Sequence, residues 1–87
     1  MSILIVDDDV ELVGLLRFAL TGAGYEVVTA FDGEQALRRL RDHTPELVIL
    51  DVNLPRKDGR EVLGEMKRDD RREEIPAVVL TTSDADE

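Results

Sequence analysis

The residues of this chain best suited to chemistry are acids that close apolar runs. Ile3–Val6 gives way at once to Asp7-Asp8-Asp9, and Leu47-Val48-Ile49-Leu50 ends in Asp51, with Asn53 two positions later. Runs of that kind suit strands buried on both faces, where a carboxylate is costly. In open α/β sheets, ligands sit beyond the carboxyl ends of the strands. If the two runs form neighbouring strands, Asp7, Asp8 and Asp51 converge there. Two unit charges about 4 Å apart repel by roughly 4 kcal/mol at an effective dielectric near 20. Such a group must be partly protonated or neutralised by a cation. Hard carboxylate oxygens favour Mg²⁺, which takes few protein ligands, keeps its waters and accepts phosphate oxygens. A metal beside a free carboxylate is a workable site for phosphoryl transfer, with the carboxylate oxygen attacking phosphorus in line.

Each of these residues also has a plainer reading. Asp8 or Asp9 can cap a helix, and for Asp9 the cap is favoured. Asp51 taken alone is a solvated strand-end acid as readily as a nucleophile. Thr81, after the apolar run Ala77–Leu80, fits ordinary turn chemistry. The sole histidine, His43, sits at a helix end, where a cation suits the helix dipole. Gly22-Ala23-Gly24 follows a helix and precedes a strand, the reverse of what a dinucleotide fingerprint requires.

The elements that must position these acids follow from periodicity. Ile3–Val6 reads as a buried strand. From Val10 to about Ala23, Leu12, Val13, Leu16, Ala19, Leu20 and Ala23 recur at helical spacing, and Gly24 is placed to stop that helix. Tyr25–Ala30 reads as a second strand. Asp32 can cap a second helix over about Glu34–Asp42, with Ala36, Leu37 and Leu40 on one face. Leu47–Asp51 is the third strand, residues 52–58 a loop, Gly59–Arg68 a third helix and Ala77–Leu80 a fourth strand. The order β-α-β-α-β-α-β, with strands apolar throughout, implies a doubly wound parallel sheet covered by helices on both faces.

The chain has 87 residues, 43% of them hydrophobic, and no cysteine. That length suggests one domain, 1–87, and the composition excludes a disulfide framework or thiolate metal site. The formal charge is −9, from 20 acids against 11 bases, which opposes binding to nucleic-acid phosphates. The basic cluster around Lys67-Arg68 and Arg71-Arg72 is interrupted by acids and reads as a solvated segment. MSILIVDDD lacks the form of a signal peptide, and the apolar runs are too short to cross a bilayer. A cytoplasmic protein that engages neither nucleic acid nor membrane is expected.

Three blocks together, ILIVDDD at 3–9, LVILDVNLPRKDG at 47–59 and IPAVVLTTS at 75–83, resemble the receiver domain of two-component response regulators. The resemblance implies a flavodoxin-like sheet of strand order 2-1-3-4-5. It implies that Asp51 is the phosphoacceptor, charged from the phosphohistidine of a sensor histidine kinase. Asp8 and Asp51 would supply carboxylate oxygens to Mg²⁺, Asp7 would assist through water, and Asn53 would offer its backbone carbonyl. Leu54-Pro55 and Asp58-Gly59 match the family's loop after the acceptor, and Thr81 matches the hydroxyl that turns toward the phosphoryl group. Such a module is not an enzyme beyond its own phosphorylation and dephosphorylation.

Two departures accompany the resemblance. The family's fifth strand and last helices lie beyond the fourth strand of this chain, and with them the lysine that pairs with phosphoryl oxygens. Neither Lys57 nor Lys67 replaces it by position. The chain is therefore expected to be a partial receiver with an apolar edge at the fourth strand, prone to self-association through that edge. Thr82 stands where receivers usually carry a smaller residue. One alternative is a degenerate receiver that serves for interaction or dimerisation without phosphotransfer. Another is a phosphohydrolase with an aspartyl-phosphate intermediate, but such enzymes place a second acid two residues after the nucleophile, and here that residue is Asn53.

Overall fold

The computed structural model describes residues 1–51, 59–68 and 75–80. Seven elements alternate: β1 Ser2–Val6, α1 Val10–Gly22, β2 Glu26–Ala30, α2 Gly33–Asp42, β3 Leu47–Asp51, α3 Gly59–Arg68 and β4 Ala77–Leu80. All strand pairs are parallel, in the order β2-β1-β3-β4. Types and order match the sequence reading, with the ends of β1, α1, β2 and α2 displaced by one residue. Among the described residues no helix is long and apolar enough to cross a membrane.

Alternation along each strand divides the core in two. Leu4, Val6, Val48 and Leu50 face α2 and α3, where they meet Ala36, Leu37, Leu40, Val62 and Met66. Ile3 and Ile5 face the other way and pack with Val13 of α1, flanked by Leu16, Leu20, Val27, Leu47 and Ile49. The central strands are apolar over Ile3–Val6 and Leu47–Leu50 because both of their faces are covered.

Local signals set the helix ends. The Asp32 carboxylate accepts from the Gln35 N–H at 2.8 Å, while the Gln35 side chain accepts from the Phe31 N–H at 3.0 Å. These bonds satisfy donors that the helix itself leaves open. Helix α1 ends as expected: Gly24 takes φ +98°, a conformation that costs a side-chain-bearing residue more than glycine.

Helix α1 departs from its periodic reading. Val13 is its only fully buried residue among the apolar positions, Leu12, Leu16 and Leu20 are half-buried, and Ala19 and Ala23 are exposed. Phe18 is 83% exposed and Leu15 69%. The reason is geometric: two described helices share one sheet face, whereas α1 alone lies on the other. Strand β4 forms one edge of the described sheet, and its Val78 and Val79 are exposed.

This division predicts unequal costs for truncating large apolar side chains. Leu50→Ala should lower the unfolding free energy by about 2–5 kcal/mol, because Leu50 is fully buried between helices and sheet. Phe18→Ala should change it by less than about 0.5 kcal/mol. Denaturant titration of both variants measures the difference, and equal losses would contradict the described packing.

Candidate functional site

The site begins with strand register. β1 and β3 pair Val6 with Leu50, so the residue that follows each is an aspartate at the carboxyl end of the sheet. The order reverses between these two strands, β1 leading outward to β2 and β3 to β4, which marks the crevice where doubly wound sheets bind ligands. One side-chain oxygen from each of Asp7, Asp8 and Asp51 lies within 4.8 Å of the other two. Asp7 and Asp51 are 1% and 2% exposed, while Asp8 faces solvent. The expected convergence of the three carboxylates is observed.

Asp7 is held from both sides. Its own N–H donates to the Ala30 carbonyl at 3.1 Å, tying the tip of β1 to the end of β2. Its Oδ1 accepts from the Asp9 N–H at 2.9 Å, two residues on, the geometry of an Asx turn. Its Oδ2 is buried and meets no hydrogen-bond donor among the described residues. An acceptor stripped of water and left without a partner is unfavourable, and a cation or a proton relieves it.

Electrostatics point the same way. Burial pushes the Asp7 carboxyl above its ordinary value, the Asp9 N–H opposes that, and the charges of Asp51, Asp8 and Asp9 add to the rise. Two carboxylates at such separations repel by about 3–4 kcal/mol at an effective dielectric near 20. The donor set is all hard oxygen, partly buried and open to solvent at Asp8, which fits a divalent ion that keeps several waters.

Asp9 caps α1 as expected, its Oδ1 accepting from the Leu12 N–H at 3.1 Å. The sequence reading missed its second role, because that role belongs to the backbone amide. The spacing was a usable signal: an aspartate two residues before an N-cap is placed to close an Asx turn. His43 is exposed at the end of α2, in keeping with its structural reading. Asn53, Leu54, Pro55, Asp58, Thr81 and Thr82 lie outside the described residues.

Comparison with known proteins decides the family. The profile "Response regulator receiver domain" matches residues 3–87. The chain belongs to that family. Receiver domains are phosphoacceptor modules of two-component signalling, phosphorylated by sensor histidine kinases and not generally classed as enzymes. The alkaline phosphatase synthesis transcriptional regulatory protein PhoP of Bacillus subtilis is 41% identical over 83 residues, covering 95% of this chain and 34% of PhoP. This receiver chain therefore spans about a third of the length of that relative. The chemotaxis response regulator CheY4 of Vibrio cholerae superposes with a TM-score of 0.90 at 32% identity, covering 97% of this chain and 70% of CheY4. TrrA of Thermotoga maritima, in complex with Mg²⁺-BeF, gives 0.84 at 36% identity, over 95% and 70% of the two chains.

The raised Asp7 carboxyl yields a pH prediction for metal-free protein. A group whose pKa is higher folded than unfolded stabilises the fold when protonated, and that contribution is lost as pH rises through the folded value. Asp7→Asn removes the charge while keeping the shape. In chelator at pH 7 the variant should melt above the wild type. The gap should close as pH falls through Asp7's raised value and below the ordinary aspartate range. Melting curves from pH 3 to 8 check this, and coincident curves at pH 7 would contradict it.

Proposed function

We propose that this receiver domain takes a phosphoryl group onto Asp51 from the phosphohistidine of a sensor histidine kinase. In this reading Mg²⁺ is held by carboxylate oxygens of Asp8 and Asp51 and by the Asn53 backbone carbonyl, with Asp7 assisting through water. The observation that carries the reading is the meeting of three carboxylates, two of them buried, at the tips of adjacent strands. The unpartnered Oδ2 of Asp7 gives independent support for a cation there. A further support is the Mg²⁺-BeF complex of the relative TrrA. The roles of Asn53 and Thr81 rest on their match to the family's motifs.

A bound ion would offset the carboxylate charge and screen that of the incoming phosphoryl oxygens. The chain's own residues do the rest. An Asp51 oxygen, at the end of a rigid buried strand, bonds to phosphorus on the side opposite the histidine nitrogen. The nitrogen–phosphorus bond breaks, and its electron pair returns to the imidazole. Asp7 and Asp8 flank the acceptor and hold negative charge that only a cation-loaded site can keep near a phosphoryl group. The modification adds a charge of about −1.5 to −2. The Thr81 hydroxyl turns toward the new oxygens and changes the surface that partners read. A cytoplasmic location goes with such a donor, since the ATP that charges the kinase is found there.

Incubation with acetyl phosphate and Mg²⁺, followed by intact mass, tests the assignment. The wild type should gain one phosphoryl group, and Asp51→Asn should gain none while keeping its fold by circular dichroism. Modification of Asp51→Asn at the wild-type level would assign the acceptor elsewhere. A folded wild type that gains nothing would favour an interaction module without phosphotransfer.

A further inference from the structure

Asp9 stands outside the carboxylate cluster, yet one hydrogen bond joins it to the cluster and another joins it to helix α1. Its carboxylate accepts from the Leu12 N–H at 3.1 Å, which locks the entry into α1. Its backbone N–H, held in place by that lock, donates to Asp7 Oδ1 at 2.9 Å. The Asp7 backbone is meanwhile pinned to β2 through Ala30. With the backbone and Oδ1 both fixed, Oδ2 is buried and meets no donor among the described residues, and one carboxylate oxygen of Asp7 lies within 4.8 Å of one each from Asp8 and Asp51.

We propose that Asp9 is a positioning residue of the carboxylate cluster: by capping α1 it holds its own amide against Asp7 Oδ1, which fixes the Asp7 carboxylate toward the divalent-ion site that it assists through water. The inference rests on the reading of the cluster as a divalent-ion site. Asp9 contributes in two separable ways, through the shape of its acceptor and through its charge. Its charge adds to the negative field at Asp7. Asparagine and serine keep the acceptor and drop the charge, since both are good N-cap residues. Alanine drops both. Glycine also lacks the acceptor but costs helix stability only slightly at an N-cap, so it serves where the alanine variant folds poorly.

The test is Mg²⁺ titration of the full chain, followed by the amide resonances of Asp7 to Asp9, with hydrogen exchange of the Asp9 amide in chelator as a second readout. Asp9→Asn and Asp9→Ser should bind within about fivefold of wild type, the scale of one exposed charge. Asp9→Ala and Asp9→Gly should bind about tenfold more weakly than Asp9→Asn, as for loss of an outer-shell partner. Their Asp9 amides should also exchange faster than in the asparagine variant. Equal affinity and equal exchange in the alanine, glycine and asparagine variants, with a wild type that binds, would overturn the positioning role alone. A wild type that does not bind Mg²⁺ would overturn the ion-site reading and the positioning role with it.

Discussion

Parallel pairing between β1 and β3 forces two carboxylates into one another's company. The backbone register that matches Val6 to Leu50 leaves no freedom over where the following residues emerge. Sliding β3 by a single residue would separate Asp7 from Asp51, but it would also turn Ile49 and Leu50 to the wrong faces. The apolar cores on the two faces therefore hold the acidic site together, against a repulsion of several kcal/mol between its members. Burial of Asp7 and Asp51 deepens that cost, because little water remains to screen them.

A site assembled under such strain is sensitive to what enters it. Without a cation, the fold carries a carboxyl whose proton is held more tightly than usual and whose Oδ2 meets no donor among the described residues. With a cation, the same geometry offers a dense set of oxygens at the crevice where the strand order reverses. In the proposed reading this position takes the phosphoryl group, and the chemistry of the residues gives the physical reason. A phosphoryl group brings further negative charge to a place already rich in it, so acceptance is coupled to neutralisation. In that reading the proposed acceptor, Asp51, closes strand β3 and is aimed by the sheet.

Much of this arrangement was legible before any coordinates. Short runs of β-branched and aliphatic residues marked the strands, and β1 and β3 at the centre are the ones covered on both sides. Asp32 and Gly24 announced where α2 begins and α1 ends. The placement of Asp7, Asp8 and Asp51 at strand tips followed from the runs themselves. Two things were not legible. The helical spacing of Leu12, Leu16, Ala19, Leu20 and Ala23 marks a face but not how much of it is covered, which depends on how many helices share that side of the sheet. And the hold on Asp7 comes from main-chain groups of Asp9 and Ala30, which carry no side-chain signature.

The central claim is that the tips of β1 and β3 form a single divalent-ion nest. Substoichiometric Mn²⁺, a paramagnetic stand-in for Mg²⁺, tests it most directly through the backbone amide spectrum. Broadening should begin at residues 7, 8 and 51 and spread outward from there, leaving the acidic residues of α2 and α3 sharp. Broadening scattered over Glu34, Asp42, Glu61 and Glu65 to the same degree would mean diffuse binding to an acidic surface, and the account would fail.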